Sequence, residues 1–462
     1  MAETMIVREN FKQFWDKYSH NTDNTAMMLN QNAAELEELD RFDILSCLPD
    51  LHGKNVVDIG AGIGRFTAVL AQTAQHVLST DFIESFINKN RELNAAYDNI
   101  TYKVADAVNL KLDDNSMDLV FTNWLMMYLT DEEVIRFLTN ALHWLRPNGY
   151  LHLRESCSEP STARTTGTLH QANAQNPSSY RFSSLYIKLY RGIRVRDQDG
   201  TVYRYDVLWS TSVPTYIMRQ NNWRQVHWLL RKVKANDKLE PEFAVLLNKF
   251  GTLWRAEQKH WDTTLDDEGA CWTDKVFESV LDKVLAPKDS TVFAYNPRSL
   301  AYHFHINVHF LSSKFFCNVW NVETNEFYYR TSLTKANKLL DRRIRFGWNE
   351  DLNAALNYWV EKNAAFDLFI ATELLSTVPE DTLKKIKSIV KHNGYIVSIE
   401  QFDEDKYDES SIKKAFSFAS DVSIKDVTAV CEQEIESYLQ RRNQVGSTEH
   451  KSKQWRLITA QL

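Results

Sequence analysis

The chain is short of the residues that define several protein classes. It has 13 glycines and 9 prolines in 462 residues, too few for a collagen-like or linker-rich polymer. It contains no run of about 18 apolar residues, so no membrane-spanning helix is expected. The opening segment, MAETMIVRENFKQFWDKY, has no apolar core of signal-peptide length. The five cysteines (Cys47, Cys157, Cys271, Cys317 and Cys431) are odd in number, far apart and never in a CxxC. That argues against a disulfide framework or a thiolate zinc site, and for reduced thiols in a cytoplasmic protein. Basic charge is short too: 54 Lys and Arg stand against 61 Asp and Glu, a net charge of −7. Neither nucleic acid nor a membrane surface is expected as a partner, though a local basic pocket remains open.

Apolar side chains are not scarce. Hydrophobic residues make up 44% and charged residues 25%, enough buried surface to offset chain ordering. The length suits two domains of roughly 200 residues. Aromatic content is 12%, with 13 Trp and 19 Tyr, which suits large cores and a stacking or cation-binding pocket.

The first 50 residues read as helical. Phe11, Phe14, Trp15 and Tyr18 recur at helical spacing, and residues 33–45 repeat the pattern. From residue 54 to 155, strands alternate with helices. Buried strands are expected at 54–59, 76–81, 100–106, 118–123 and 150–155. Thr130, followed by three acids, reads as a capped helix start, with Pro147, Asn148 and Gly149 as its stop. This order implies a doubly wound, parallel α/β sheet, a Rossmann-like fold. Residues 156–179 form a polar stretch without periodicity, of a length usually functional or disordered.

The chemistry concentrates in residues 56–66, VVDIGAGIGRF. Gly60, Gly62 and Gly64 follow a strand and open a helix, where glycine allows a tight turn and close approach of a ligand to the backbone. Asp81 closes the next strand, where a carboxylate can accept both ribose hydroxyls. Asp106 closes the third strand and can meet an adenine amine; Asn123 closes the fourth, at the edge where open α/β sheets bind ligands. A dinucleotide site normally reads GxGxxG, whereas this chain reads GxGxG with Arg65 next. Asp58, two residues before the first glycine, adds negative charge that suits a cationic ligand better than a pyrophosphate. The pattern therefore favours S-adenosylmethionine, with S-adenosylhomocysteine as product, over NAD. Expected cofactor contacts are Asp58, Gly60, Gly62, Arg65, Asp81, Phe82, Asp106, Ala107 and Asn123.

The segments DIGAGIGRFT, TDFIESFINKN, NWLMMYLTDEE and NGYLHLRESC, followed by NPSSYR at 176–181, together resemble the phosphoethanolamine N-methyltransferases of plants and nematodes over roughly residues 10–195. The whole chain is similar to the two-domain nematode form, in which only the N-terminal half is active. The resemblance implies a class I methyltransferase domain that transfers one methyl to phosphoethanolamine, giving phospho-monomethylethanolamine on the way to phosphocholine. A phosphate dianion calls for Arg, Lys, Tyr or Ser donors. Candidates are Ser156, Ser161, Thr162, Arg164, Tyr180, Arg181, Tyr186 and Lys188, and the resemblance favours Ser156, Tyr180 and Arg181. The amine must lose a proton before it attacks. Tyr18, Ser19, His20 and Tyr128 are the candidates near that step. Single-domain relatives are expected to use a Tyr with a His, and Tyr128 stands where that His aligns.

Residues 366–397 echo 118–152 in the order strand, helix, Asn-Gly, strand, and read as an internal repeat. A boundary near 230/231 follows, with the charged stretch 231–238 as linker: residues 1–230 catalytic, 231–462 a degenerate methyltransferase-like domain, since no GxG occurs after residue 225. Residues 318–323 could be a second-strand remnant ending in an acid. His303, His305 and His309 could share a strand face, but no Cys or carboxylate lies near them in sequence and no metal is expected. The chain is expected to act as a monomer on a small molecule. Two other readings stay open: a methyltransferase for another small amine or a lipid head group, and a non-catalytic S-adenosylmethionine-binding scaffold.

Overall fold

Residues 55–59, NVVDI, place Val56, Val57, Asp58 and Ile59 out of solvent in succession, as a strand covered on both faces requires. This strand, Asn55–Ile59 (β1), is central to an eight-stranded sheet. The computed structural model describes residues 11–17, 23–30, 32–157, 178–220, 222, 224–236, 241–262, 271–272, 274–285, 290–297, 304–324, 343–349, 351–402, 408–441 and 454–462. The chain divides into two compact units, Met1–Thr264 and Leu265–Leu462.

In the first unit, β1 is followed by His76–Asp81 (β2), Ile100–Val104 (β3), Met117–Thr122 (β4) and Leu145–Ser156 (β5). These five run parallel in the order β3-β2-β1-β4-β5. Arg194–Arg196 (β6), Val202–Ser212 (β7) and Gln225–Lys234 (β8) extend the far edge antiparallel, in the order β5-β8-β7-β6. Strand order reverses between β1 and β4, which opens a crevice at their carboxyl ends. Helices Thr67–Ala71, Glu84–Leu93 and Asp131–Trp144 make the crossovers. The last begins with a capping box: the Thr130 hydroxyl accepts from Glu133 N–H, and Thr130 N–H donates to the Glu133 carboxylate at 2.9 Å. At the N-terminus, residues 11–16 are helical, followed by helices Asn24–Met28 and Ala33–Leu45.

Two expectations need correction. The boundary expected at 230/231 falls inside β8, and the compact units divide at 264/265 instead. The charged stretch read as a linker begins within that strand. Lys232 is buried there, its Nζ donating to Leu145 O at 2.7 Å and Asn115 Oδ1 at 2.9 Å. Its ammonium has satisfied partners that composition does not reveal.

The second unit carries a short parallel pair, Cys271–Trp272 (β9) with Phe304–His305 (β11). Its main sheet comprises Thr291–Asn296 (β10), Asn318–Glu323 (β12), Ile344–Trp348 (β13), Phe366–Thr372 (β14), Val390–Phe402 (β15), Asp421–Asp426 (β16) and Gln454–Gln461 (β17). The order β13-β12-β10-β14-β15-β17-β16 repeats the topology of the first unit from β3 to β7. The echo extends to single residues. Asp118 Oδ2 accepts from Asn55 N–H at 2.8 Å, and Asp367 Oδ2 accepts from Thr291 N–H at 2.8 Å. Asn148 and Asn393 both turn with positive φ, 66° and 72°. His303 lies outside the described residues, and His309 belongs to a helix, Val308–Phe315, so the three histidines do not share one strand. Among the described residues no group of His, Cys, Asp and Glu could hold a metal ion.

Gly64 and Gly53 both have positive φ, 88° and 68°. A Cβ on Gly64 would lie 2.2 Å from Asn90 Oδ1, while one on Gly53 would meet nothing within 4 Å. Gly53→Ala should destabilise by about 1 kcal/mol, the left-handed penalty alone. Gly64→Ala should lose about 3 kcal/mol or more, because the buried Asn90–Asn94 pair must move. Denaturant unfolding of the two variants tests this; equal losses would show that the asparagines yield freely.

Candidate active site

The crevice at the reversal of strand order is a cavity of about 330 Å³. Gly60, Ala61 and Gly62 form its floor beneath the end of β1, and Asp81, Phe82, Asp106 and Ala107 follow β2 and β3. The glycine turn is held by the carboxylate beside it. Asp81 Oδ2 accepts from Gly62 N–H and Oδ1 from Ile83 N–H, both at 2.9 Å. Gly60 N–H and Ala61 N–H both donate to Thr80 O at 2.9 Å. Gly60 and Gly62 have φ of 71° and 56°, and a Cβ on Gly62 would stand 3.0 Å from Met27 Sδ. Only glycine leaves this floor open.

Asp58 is buried behind the turn and accepts from Thr67 Oγ1 at 2.7 Å. Asn90 steadies that hydroxyl, donating to Thr67 Oγ1 at 3.2 Å and Ser79 Oγ at 2.9 Å. Burial raises both carboxyls: Asp58 to about 7, with the neighbouring Asp81 adding to the rise, and Asp81 to about 6 despite its backbone donors. Asp106 Oδ1 accepts from Val108 N–H at 2.9 Å. A dry pair of carboxyls beside an open glycine turn fits a ligand with cationic and hydroxyl groups, as S-adenosylmethionine has.

The opposite wall is built by the loop after β4. Glu155, at the end of β5, is buried, and its carboxylate accepts from the N–H groups of Leu125, Met126 and Met127 at 3.0, 2.8 and 3.1 Å. Burial still lifts it to about 7. Trp124 sits at φ 60°, with Arg154's guanidinium 3.4 Å above its ring centre. Arg154 is buried and reaches Asp40 Oδ1 and Asn123 Oδ1, each at 3.3 Å. Arg65 Nη2 holds the other oxygen of Asp40 at 3.1 Å. Tyr128, 8% exposed, lines the cavity with Phe11, Phe14 and Trp15 packed around it.

All nine expected cofactor contacts line this cavity, as do Tyr128, Ser156 and Tyr180. Tyr18, Ser19, His20, Ser161, Thr162 and Arg164 lie outside the described residues. Arg181 and Tyr186 are corrections: both are buried and neither is among the lining residues. Arg181 spends its guanidinium on the loop below, with Nε to Asp131 Oδ1 at 2.8 Å, Nη1 to Met126 O at 2.9 Å and Nη2 to Leu129 O at 2.7 Å. Tyr186 packs on Tyr190 and Trp228. Lining residues that sequence reasoning missed include Met27, Trp124, Tyr216, Gln220, Asn222 and Gln225. The last four come from the segment between β7 and β8 or the start of β8, which carries no motif.

Arg181→Gln should therefore lower unfolding free energy by about 3 kcal/mol, since buried carbonyls lose a charged donor. Denaturation with and without ligand reads this. Wild-type stability combined with weakened substrate binding would return Arg181 to the substrate site.

Residues 56–149 match the family model for a methyltransferase domain. Phosphoethanolamine N-methyltransferase 1 of Caenorhabditis elegans is 51% identical over 99% of this chain and 96% of its own length. A Triticum aestivum phosphoethanolamine N-methyltransferase 1 is 38% identical over 50% of this chain and 46% of its own. The solved Haemonchus contortus phosphoethanolamine N-methyltransferase 1, in complex with phosphoethanolamine and S-adenosylhomocysteine, is 52% identical. It superimposes with a TM-score of 0.84, covering 99% of this chain and 98% of that one. With such identity across nearly the whole of both chains, this chain belongs to the phosphoethanolamine N-methyltransferase family.

Proposed function

We propose that the chain transfers a methyl group from S-adenosylmethionine to the amine of phosphoethanolamine, giving phospho-monomethylethanolamine and S-adenosylhomocysteine, the first methylation towards phosphocholine. The observation that carries it is the glycine turn locked by Asp81 at the carboxyl edge of β1, in a chain 51% identical to a nematode phosphoethanolamine N-methyltransferase. The cofactor, when bound, supplies an activated methyl on a sulfonium. Asp81 is proposed to accept ribose hydroxyls, with Phe82 beside it, and Asp106 and Ala107 to meet adenine. Asp58, Gly60, Gly62, Arg65 and Asn123 frame the remaining cofactor end. Ser156 and Tyr180 are proposed for the phosphate, joined by Ser161, Thr162 and Arg164 from 158–177. Tyr128 lines the cavity beside packed rings, and its phenol is proposed to orient the amine or take its proton. Tyr18, Ser19 and His20 remain proposed partners in that step.

The second unit is proposed to be non-catalytic. By strand register, Asn296 stands where Gly60 does, and Ala294 where Asp58 does. Glu323, in the place of Asp81, is engaged by Asn296 Nδ2 at 3.2 Å and Asn321 Nδ2 at 2.7 Å. A side chain therefore fills the position a ligand would need. Action as a monomer in the cytoplasm completes the proposal. The site is framed within one chain, and Cys47, Cys157, Cys317 and Cys431 are buried and form no disulfide among the described residues. No described helix is long and apolar enough to cross a membrane.

Asp81→Ala should abolish measurable S-adenosylhomocysteine binding by calorimetry, and an unchanged Kd would remove the cofactor assignment. Binding should also depend on pH. A ligand that donates hydrogen bonds or brings positive charge to the ionised carboxyls lowers their raised pKa values, so protons are released and affinity climbs as pH rises through about 6 and 7. In the ligand-free protein the sign reverses, because the stability from these two carboxyls is full below pH 3.8 and lost as pH rises through 6 to 7. Titrations in buffers of different ionisation enthalpy read the proton count. For the reaction, methyl-labelled cofactor should label phosphoethanolamine once and leave free ethanolamine unlabelled. Bound cofactor without labelled product would favour the scaffold reading.

A further inference from the structure

Ser156 and Gln225 face each other as a directly opposed pair on antiparallel β5 and β8, so their side chains share one face of the sheet. Both line the cavity. Gln225 Nε2 donates to Ser156 Oγ at 2.7 Å, and Gln225 Oε1 accepts from Trp124 Nε1 at 2.9 Å. An indole nitrogen can only donate, so it forces the amide oxygen of Gln225 towards itself and the amide NH2 towards the serine. Trp124 cannot swing away easily. Its backbone N–H donates to Arg154 O at 2.7 Å, the Arg154 guanidinium covers its ring, and Tyr216 meets it edge-on. Ser156 Oγ thus receives a hydrogen bond on one side. Among the described residues no acceptor lies within hydrogen-bond distance of its own proton.

We infer that Gln225 is a positioning residue that fixes the Ser156 hydroxyl as a donor into the cavity, selecting a substrate group that only accepts hydrogen bonds, the phosphate. The direction runs one way, from Trp124 N–H to Gln225 oxygen, from Gln225 N–H to Ser156 oxygen, and from Ser156 O–H to a phosphate oxygen. A phosphate dianion accepts at every oxygen, whereas an ammonium offers only donors and would leave the Ser156 proton without an acceptor. The pair therefore also sets which end of the substrate lies against β5, leaving the amine to the Tyr128 side. This role rests on the proposed reading of the site as one for phosphoethanolamine.

The test is a double-mutant cycle with Gln225→Met and Ser156→Ala, in the full-length chain, measuring KM for phosphoethanolamine, kcat, and the Kd for S-adenosylhomocysteine. Ser156→Ala should raise KM roughly tenfold, the loss of one hydrogen bond to a charged group. Gln225→Met should raise KM by about threefold or more in the wild-type background and leave it unaltered in the Ser156→Ala background. The Kd for S-adenosylhomocysteine should stay within about twofold throughout, which also shows that the variants fold. The inhibition constant of inorganic phosphate should weaken in parallel with KM. Additive effects on KM, or an equal loss of cofactor affinity in Gln225→Met, would overturn the positioning role. A wild-type chain that binds cofactor yet does not methylate phosphoethanolamine would instead overturn the functional reading beneath it.

Discussion

The site depends on how the chain leaves the central strand β4. At that point the backbone must turn out of the sheet without abandoning its polar groups in a dry interior. Glu155 resolves this by accepting three successive N–H groups, from Leu125 to Met127, onto one buried carboxylate. Three charge-assisted bonds hold it, while burial pulls its pKa up to about 7. Arg181 completes the clamp from the other side by donating to the carbonyls of Met126 and Leu129. Between these two, Asn123 and Trp124 are held on one rim of the cavity and Tyr128 on another. A mobile loop here would leave the cavity without its far wall, and the hydrogen-bond directions set by Trp124 would be lost.

The floor of the cavity obeys a different constraint. Asp81 accepts backbone N–H groups on both oxygens, which ties the glycine turn to the end of β2. The same carboxyl is dehydrated, as is Asp58 beside it, and each is raised towards neutrality. Two such groups within one turn are unfavourable in the empty protein and become favourable when a cation and hydroxyl donors arrive. Discrimination thus comes from burial: a ligand with negative charge at this end would meet acids that cannot neutralise it.

Much of this was legible in the sequence because strand periodicity and glycine position report directly on backbone. The five parallel strands and the turn at Gly60–Gly64 follow from short apolar runs punctuated by glycine and acid. Each carboxyl-edge residue named from those runs lines the cavity. The failures have one physical source. Arg181 is a candidate by residue type and favoured by the family resemblance, yet a guanidinium also serves buried carbonyls, and only the fold shows that Met126 O and Leu129 O lie within its reach. Lys232 misled in the same way, since its charge suggested solvent while its Nζ is bonded inside. Gln225 had no signal at all. It becomes a functional candidate through cross-strand pairing with Ser156, 69 residues away, a relation no local pattern encodes.

The internal repeat separates what the fold requires from what the ligand requires. Both units keep an aspartate at the start of strand four, Asp118 and Asp367, clamping the first strand's opening N–H. Both keep a glycine, Gly149 and Gly394, where a Cβ would strike that aspartate's own carbonyl at 3.2 and 2.9 Å. Both also keep a buried glutamate ending strand five, Glu155 and Glu400, each near pKa 7 through burial and each accepting N–H groups from the loop after strand four. The residue turning into that loop has positive φ in each, 60° at Trp124 and 51° at Glu373. These features recur where the glycine floor does not, because the turn out of the sheet demands them. Gly60 and Asp58 do not survive: Asn296 and Ala294 hold their places, and the Asn296 amide is bonded into Glu323. Topology alone therefore makes the crevice, and only the glycine floor with its unshared acids makes it a cofactor site.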